Sequence, residues 1–303
     1  MGRGGAYSLR VLHIWNTAGV ASVIAKYMDR ILGTESLVVH RKAFDRYGVT
    51  TYGELWDCGA KVFALRCLLL ARRFDIIHVH SLDKLVPFLK ILYPGKPVIL
   101  HYHGNDIRNK WSLKRKYWSK ADAILYSTPD LLNHETPKLA VYLPNPVDTD
   151  LFHKFPDTFR KSRTALAFKY HLDIDKANSY AKKYGLSIEF LERNIPHNKM
   201  PEILNKYEYY IDQTQIPSLS KTALEALACG LKVIRWDGEI IEGLPEEHKP
   251  ENVVISLVKL IKELTNGTID ISIISSADRR YGQCSDRWSK CSPLDLMGKT
   301  EAV

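Results

Sequence analysis

Asp75-Ile76-Ile77-His78-Val79-His80, a helical stretch over residues 82–92 stopped by Pro94-Gly95, and then Pro97-Val98-Ile99-Leu100-His101-Tyr102 form the segment that decides the fold. Both outer runs are short, nearly continuously apolar and rich in β-branched residues. Strands of that kind are covered on both faces, and with a helix between them they belong to a parallel sheet.

The alternation extends in both directions. Upstream, Leu9-Arg10-Val11-Leu12-His13-Ile14-Trp15 reads as a strand ending in Asn16-Thr17-Ala18-Gly19. A helix over 20–32 closes at Gly33, and 36–40 is the next strand. Downstream, Ala123-Ile124-Leu125-Tyr126-Ser127 and Ala140-Val141-Tyr142-Leu143 complete a first domain over 1–145. Pro144-Asn145-Pro146 is a breaker that opens a polar linker, 146–160. The pattern then restarts over 161–267, with strands at 164–168, 187–191, 209–212 and 232–236. Helices are expected near 175–183, 200–206, 222–229 and 252–264, the last ending at Asn266-Gly267. Cys229-Gly230 has the form of a helix C-cap. Residues 268–303 lose periodicity and read as an irregular tail. The fold class is therefore α/β, two Rossmann-like doubly wound domains facing across a cleft.

The bulk properties agree. A chain of 303 residues fits two domains of ordinary size, and 45% hydrophobic with 25% charged residues suits globular cores. No apolar run approaches the ~20 residues that span a bilayer. Met1-Gly2-Arg3-Gly4-Gly5 lacks the apolar stretch of a secretory leader, so a cytoplasmic, at most peripherally membrane-bound, location is expected. Cys58, Cys67 and Cys229 sit among apolar residues and read as buried thiols. With Cys284 and Cys291 they make an odd count without a CxxC pair, which points away from disulfides and zinc. The formal charge of +9 suits anionic partners without choosing among nucleotides, lipids and nucleic acid. Gly298-Lys299-Thr300 echoes a P-loop, but Pro293 stands where its first glycine belongs.

Ligands of doubly wound sheets bind outside the carboxyl ends of the strands, which directs attention to five loops. Asn16-Thr17-Ala18-Gly19 joins the first strand to the first helix. Gly19 there leaves room for a ligand at a helix N-terminus, although no GxGxxG is present. His103 and Asp106 follow a strand in His101-Tyr102-His103-Gly104-Asn105-Asp106, where polar groups can meet a sugar. Ser218-Leu219-Ser220-Lys221-Thr222-Ala223-Leu224-Glu225-Ala226-Leu227-Ala228-Cys229-Gly230 is the most specific stretch. Ser220 or Thr222 would cap a helix whose N–H groups hold a pyrophosphate. Glu225 falls in an otherwise apolar helix, and a buried carboxylate needs a partner such as a ribose diol.

At this stretch the chain resembles the retaining glycosyltransferases of family 4, which have the GT-B fold. Five pieces match in order: Asp75 to Ser81; His103-Gly104-Asn105-Asp106-Ile107; Leu143-Pro144-Asn145-Pro146-Val147-Asp148 and on to Phe152; Pro196 to Leu204 with Tyr207 to Asp212; and Ala223 to Ile234. The resemblance implies a hexosyltransferase-type enzyme (EC 2.4). It would move a sugar from a nucleoside diphosphate sugar to a glycan or lipid-linked acceptor with retention. It makes 1–145 the acceptor domain and 161–267 the donor domain, shorter than in the family. It implies no cofactor and no metal. It gives Glu225 the ribose and brings Ser218, Ser220, Lys221 and Thr222 to the diphosphate. His103 would meet the sugar, and Lys169, or else Arg163 or Arg193, would act as the phosphate cation. Pro217 stands where the family has another glutamate.

Arg108-Asn109-Lys110-Trp111-Ser112-Leu113-Lys114-Arg115-Lys116-Tyr117-Trp118 mixes five cations with three aromatics, the composition of a helix resting on an anionic membrane. Two rival classes stay open: a partner subunit that keeps the fold without turnover, and a nucleic-acid binder using the same basic stretch. Nucleic acid is not the expected partner, because no recognised module for it is present.

Overall fold

The computed structural model describes residues 8–156 and 158–266. The expected tail, with Gly298 to Thr300, Cys284 and Cys291, lies outside the described residues. The first sheet is built from β1 (Arg10–Ile14), β2 (Glu35–Arg41), β3 (Glu54–Trp56), β4 (Ile76–His80), β5 (Val98–Tyr102), β6 (Ala123–Tyr126) and β7 (Ala140–Tyr142). All are parallel, in the order β3-β2-β1-β4-β5-β6-β7. Every residue of β4 and β5 is buried, as the unbroken apolar runs require. Strand order reverses between β1 and β4, so the binding crevice opens outside the carboxyl ends of those two strands.

Helix α1 (Val20–Leu32) ends where expected. Gly33 takes the left-handed conformation, φ +65°, and donates its N–H to the Asp29 carbonyl. The α2 (Ala60–Leu70), α3 (Val86–Leu92) and α4 (Trp111–Trp118) helices cover the opposite face of the sheet through Phe63, Cys67, Val86, Leu89 and Trp111. Strand β3 and helix α2 were not anticipated. β3 is a three-residue edge strand with two residues exposed, and α2 has only Lys61 and Arg66 as charged residues, hence no polar face to set a period.

The second sheet contains β8 (Lys161–Phe168), β9 (Ser187–Leu191), β10 (Tyr207–Ile211), β11 (Lys232–Ile234) and β12 (Ile240–Ile241), ordered β12-β11-β10-β8-β9. β12 is antiparallel and adds to the four expected strands. It returns through Asp237-Gly238, where Gly238 has φ +80°. The α5 (Ile174–Tyr184), α6 (Met200–Leu204) and α7 (Lys221–Ala228) helices pack on this sheet.

One helix sits in a different place from the sequence division. Helix α8 (Pro250–Leu264) was grouped with 161–267, yet Val253, Val254, Leu257, Val258 and Ile261 share one core with Leu9, Val11, Ile24 and Tyr27 of the first domain. Its apolar stripe needs an apolar partner, and α1 beside β1 offers one. The chain thus crosses between the domains twice. The first crossing is pinned by Asp148, whose buried carboxylate accepts from Lys26 Nζ at 2.9 Å and from the Tyr27 hydroxyl at 3.3 Å. Arg30 bridges Asp150 (2.8 Å) and Glu251 (3.5 Å), tying α1, linker and α8 together. Leu257→Ala is therefore expected to lower stability by about 3 kcal/mol in a denaturant titration. A change below about 0.5 kcal/mol, the usual range for surface substitutions, would show that α8 does not belong to the first core.

Of the thiols read as buried, Cys67 and Cys229 are, and burial pushes both up to about 12. Cys58 is half-buried, because it follows edge strand β3.

Candidate active site

The parallel register of the first sheet assembles a feature that no single motif showed. His13 on β1 lies opposite His78 on β4, and His80 lies opposite His101 on β5. Alternation then puts His13, His78, His80 and His101 on one face, under α1 and α8, with His103 next in line. His13 Nδ1 is 3.3 Å from His80 Nε2, and His80 Nδ1 is 3.0 Å from His103 Nε2. Ser127 Oγ closes the chain at 2.8 Å from both His103 Nδ1 and His101 Nε2. His78 stacks beside His80 with ring centroids 4.1 Å apart, and neither of its nitrogens has a hydrogen-bond partner among the described residues. Burial lowers all five, His13 and His103 to about 4 and the other three well below the ordinary value. Two trios, His13/His78/His80 and His80/His101/His103, have nitrogens close enough to share a metal ion. Burial favours the neutral form of these imidazoles, and all but His78 hydrogen-bond another side chain.

Above this ladder the loops are drawn together at the sheet's carboxyl edge. Asp106 accepts from the backbone N–H of His103 (3.0 Å) and Gly104 (2.7 Å) and from Ser81 Oγ (2.6 Å), and Ser81 Oγ is 2.8 Å from Thr17 Oγ1. Asp106 was expected to face a ligand; here it braces three loops instead. His103 lies where the sequence placed it, but both its ring nitrogens are engaged inward. Trp15 (φ 78°), Ala18 (φ 51°) and Ser81 (φ 62°) hold left-handed backbone in these loops, strain of the sort that collects at binding sites. Gly19 was expected to admit a ligand. A Cβ there would meet the Val49 carbonyl oxygen at 3.1 Å, so the close approach is made by the chain's own 45–50 loop. That loop also reaches the second domain, where the His197 N–H donates to the Tyr47 carbonyl at 2.7 Å.

Across the seam stands α7. Of the two candidate caps, Ser220 is the one used: its Oγ accepts from the Ala223 N–H at 3.0 Å. Asp212, at the end of β10, holds Ser220 through its N–H (2.9 Å) and hydroxyl (2.5 Å), and burial raises this carboxyl to about 6. The N–H groups of Lys221 and Thr222, in the first turn, have no intrahelical acceptor. Ser218 is buried, with its carbonyl bonded to Gln213. Lys221 is nearly buried, donates to the Pro146 carbonyl and lies 3.8 Å from Glu225 Oε1; burial pushes its ammonium down. Glu225 is 2% exposed. Its Oε1, Thr222 Oγ1 and Asn145 Oδ1 are buried without hydrogen-bond partners among the described residues. Two of these atoms, on Thr222 and Glu225, lie in the first turns of α7 and ask for a polar guest.

The expected phosphate cation moves. Lys169 sits on the rim and pairs with Glu192 at 3.1 Å, both largely exposed. Arg163 turns away to the Gly185 carbonyl, 3.0 Å. Arg193 is half-buried and acts electrostatically on Asp212, Tyr210 and His197, which places it toward the seam. His197, which the motif reading passed over, lies within the field of Glu225 and Lys221 and packs on Phe152 with ring centroids 5.1 Å apart. His248 donates its Nδ1–H to the Asn145 carbonyl at 2.8 Å and is lowered to about 4 by burial. His197 lies within the 196–204 piece without a role assigned to it, and His248 lies in no quoted piece; the folded seam brings both in.

The basic stretch 108–118 is less free than expected. Trp111 is fully buried and donates to the Leu131 carbonyl, Trp118 donates to the Trp111 carbonyl, Arg108 pairs with Asp130, and Lys114 pairs with buried Asp83 at 2.7 Å. No described helix is long and apolar enough to cross a membrane.

The family model described as Glycosyltransferase Family 4 matches residues 32–151. No curated protein matches the chain. Among solved structures it is similar to a glycosyltransferase involved in avilamycin A biosynthesis, with 12% identity, 90% of this chain and 97% of that one covered, and a TM-score of 0.48. It is also similar to sucrose-phosphate synthase from Thermosynechococcus elongatus, at 11% identity, 90% and 94% coverage and a TM-score of 0.46. For spinosyn forosaminyltransferase the values are 11%, 96% and 97%, and 0.46.

Proposed function

We propose that this chain is a glycosyltransferase that takes a sugar from a nucleoside diphosphate sugar and passes it to an acceptor held by the first domain, with retention at the anomeric carbon. The observation that carries the reading is buried Glu225, whose Oε1 accepts no described hydrogen bond and has only Lys221 at 3.8 Å, one turn inside a helix whose first N–H groups are free of intrahelical partners. A ribose diol supplies the two hydroxyl donors that a buried carboxylate lacks. A diphosphate supplies acceptors to the helix start and to its dipole. The family match over the first domain supports the same reading.

The chemistry asks for stabilisation of a departing diphosphate and of a cationic sugar. Donors fixed in place before reaction do this without reorganisation. In this reading the N–H groups of Lys221 and Thr222, the Lys221 ammonium and Arg193 would serve the leaving oxygens. His103 acts as a positioning residue, because its ring joins the loop after β5 to Ser127 and His80. Separation of the Tyr47–His197 contact would admit the donor, and its return would exclude water.

The test is calorimetry with uridine and guanosine diphosphates, followed by turnover with a panel of their sugars. Binding and transfer are expected. Binding without turnover would reduce the chain to a partner subunit, and retention of DNA with neither would make it a nucleic-acid binder. His103→Ala is expected to lower kcat about tenfold while nucleotide affinity changes less than twofold, since misplaced loops weaken orientation more than donor binding. Equal losses in both would place His103 on the nucleotide instead.

A further inference from the structure

The face formed by α2 and α3 carries apolar side chains that no part of the described structure covers. On α2, Val62, Leu65 and Leu69 are 51, 58 and 59% exposed; on α3, Phe88, Ile91 and Leu92 are 56, 76 and 53% exposed. The two stripes are neighbours, because the Tyr93 hydroxyl at the end of α3 donates to the Leu68 carbonyl at 2.9 Å. The α4 helix continues the face with Leu113, 74% exposed, and is held to the start of α3 by the Lys114–Asp83 pair. Patches of this kind mark interaction sites.

The surrounding charge is mainly positive, its acids being Glu54 and Asp57 before α2 and Glu135 beside the start of α4. Between Asp57 and Asp75, between Asp83 and Asp106, and from there to Asp122, the chain has no carboxylate. Of the acids bounding these stretches, Asp83 is buried against Lys114 and Asp122 is paired with Lys90 at 2.9 Å. Lys61, Arg66, Arg72 and Arg73 stand exposed along and just beyond α2, and Arg115 and Lys116 do so on α4. A protein partner of ordinary composition would meet this face with mixed charge. A predominantly cationic rim around an apolar centre instead matches an anionic lipid surface, in which the apolar side chains enter the acyl boundary and the cations remain among headgroups.

We propose that the α2–α3 face, extended by the tip of α4, seats the protein on an anionic membrane. The α2, α3 and α4 helices each follow a strand and so start at the carboxyl edge of the first sheet, where the cleft opens. A bilayer lying along them reaches the cleft rim, which fits an acceptor with a lipid tail. That last step rests on the glycosyltransferase reading; the membrane contact itself does not.

The experiment is co-sedimentation of the full chain with phosphatidylcholine vesicles, with and without roughly 30% phosphatidylglycerol. The full chain is expected to pellet with the anionic vesicles and to be released as salt rises from about 0.1 to about 0.5 M, as screening shortens. Leu65→Asp with Ile91→Asp is expected to weaken binding more than tenfold. Arg72→Glu with Arg73→Glu should do the same, because each cation near such a surface contributes about fivefold. Both pairs are exposed, and both variants should keep the thermal transition and the nucleotide affinity of the parent. The proposal is overturned if the parent stays in solution, or if both variants pellet as it does. It is overturned equally if light scattering shows a parental dimer that Leu65→Asp with Ile91→Asp makes monomeric, since the face would then belong to a second copy. Loss of nucleotide binding in the parent chain would sink the glycosyltransferase reading and leave the vesicle result standing.

Discussion

Glu225→Ala is expected to weaken nucleoside diphosphate binding about a hundredfold while the protein stays folded. A hydrogen bond to a charged group contributes about 1.5–3 kcal/mol, and a diol offers two, so the loss of about 2.7 kcal/mol implied by a hundredfold change is within reach. Stability should move little. In the free protein the carboxylate is 2% exposed and its Oε1, 3.8 Å from the Lys221 ammonium, accepts no described hydrogen bond, so its desolvation is only partly returned. Its removal exposes Lys221 to burial without a counterion, yet that ammonium keeps the Pro146 carbonyl and has Asp148 in its field. Glu225→Gln sharpens the test: it keeps the shape and one acceptor but loses the charge, so its affinity should fall between the two. Nucleotide affinities within twofold of the parent in both variants would remove Glu225 from the site.

Stability is expected to fall steeply as pH drops from about 6.5 toward 4. His13 and His248 are fully or almost fully buried, and burial lowers both from 6.5 to about 4. Burial lowers His78, His80 and His101 in the same direction. In that window the unfolded chain takes up protons that the folded chain refuses, so the unfolded state binds more protons and stability rises with pH. The stabilisation is complete above 6.5 and is lost as pH falls. For His13 and His248 this is worth on the order of 3 kcal/mol each by pH 4. Asp212 works in the opposite direction: its carboxyl, raised from 3.8 to about 6, favours folding at lower pH. The histidines outnumber it, so the net slope keeps their sign. Denaturant midpoints at pH 7.5, 6 and 5 measure it. His78→Leu should flatten the slope and cost little at pH 7.5, because neither nitrogen of His78 has a described hydrogen-bond partner to lose. Equal midpoints from pH 7.5 to 5 would contradict the buried ladder.

Most of the architecture was legible because period and polarity are local. Helix α1 and strand β9 have the expected bounds, and β4 and β5 lie within the stretches that opened the reading. Elements went unread where the local signal was weak: β3 is a short edge, α2 is apolar almost all round, and β12 is two residues long. The site divides in the same way. The 218–230 stretch announced its helix, cap and buried glutamate, since capping and burial pattern are written within ten residues. The role of Asp106 as a brace, the pairing of Lys169 with Glu192, and the filling of the space before Gly19 by Val49 depend on segments 20 to 30 positions away.

The sequence by itself determined two α/β sheets, their crossover helices and a glutamate inside an apolar helix, because each follows from spacing along one segment. Only the tertiary structure decided that five histidines stand side by side, that α8 returns to the first core, and that Arg193, His197 and Asn145 gather near Glu225. Strand register, helix docking and the meeting of loops join residues far apart in the chain. Their energies come from burial and paired charge between segments, which no local pattern encodes.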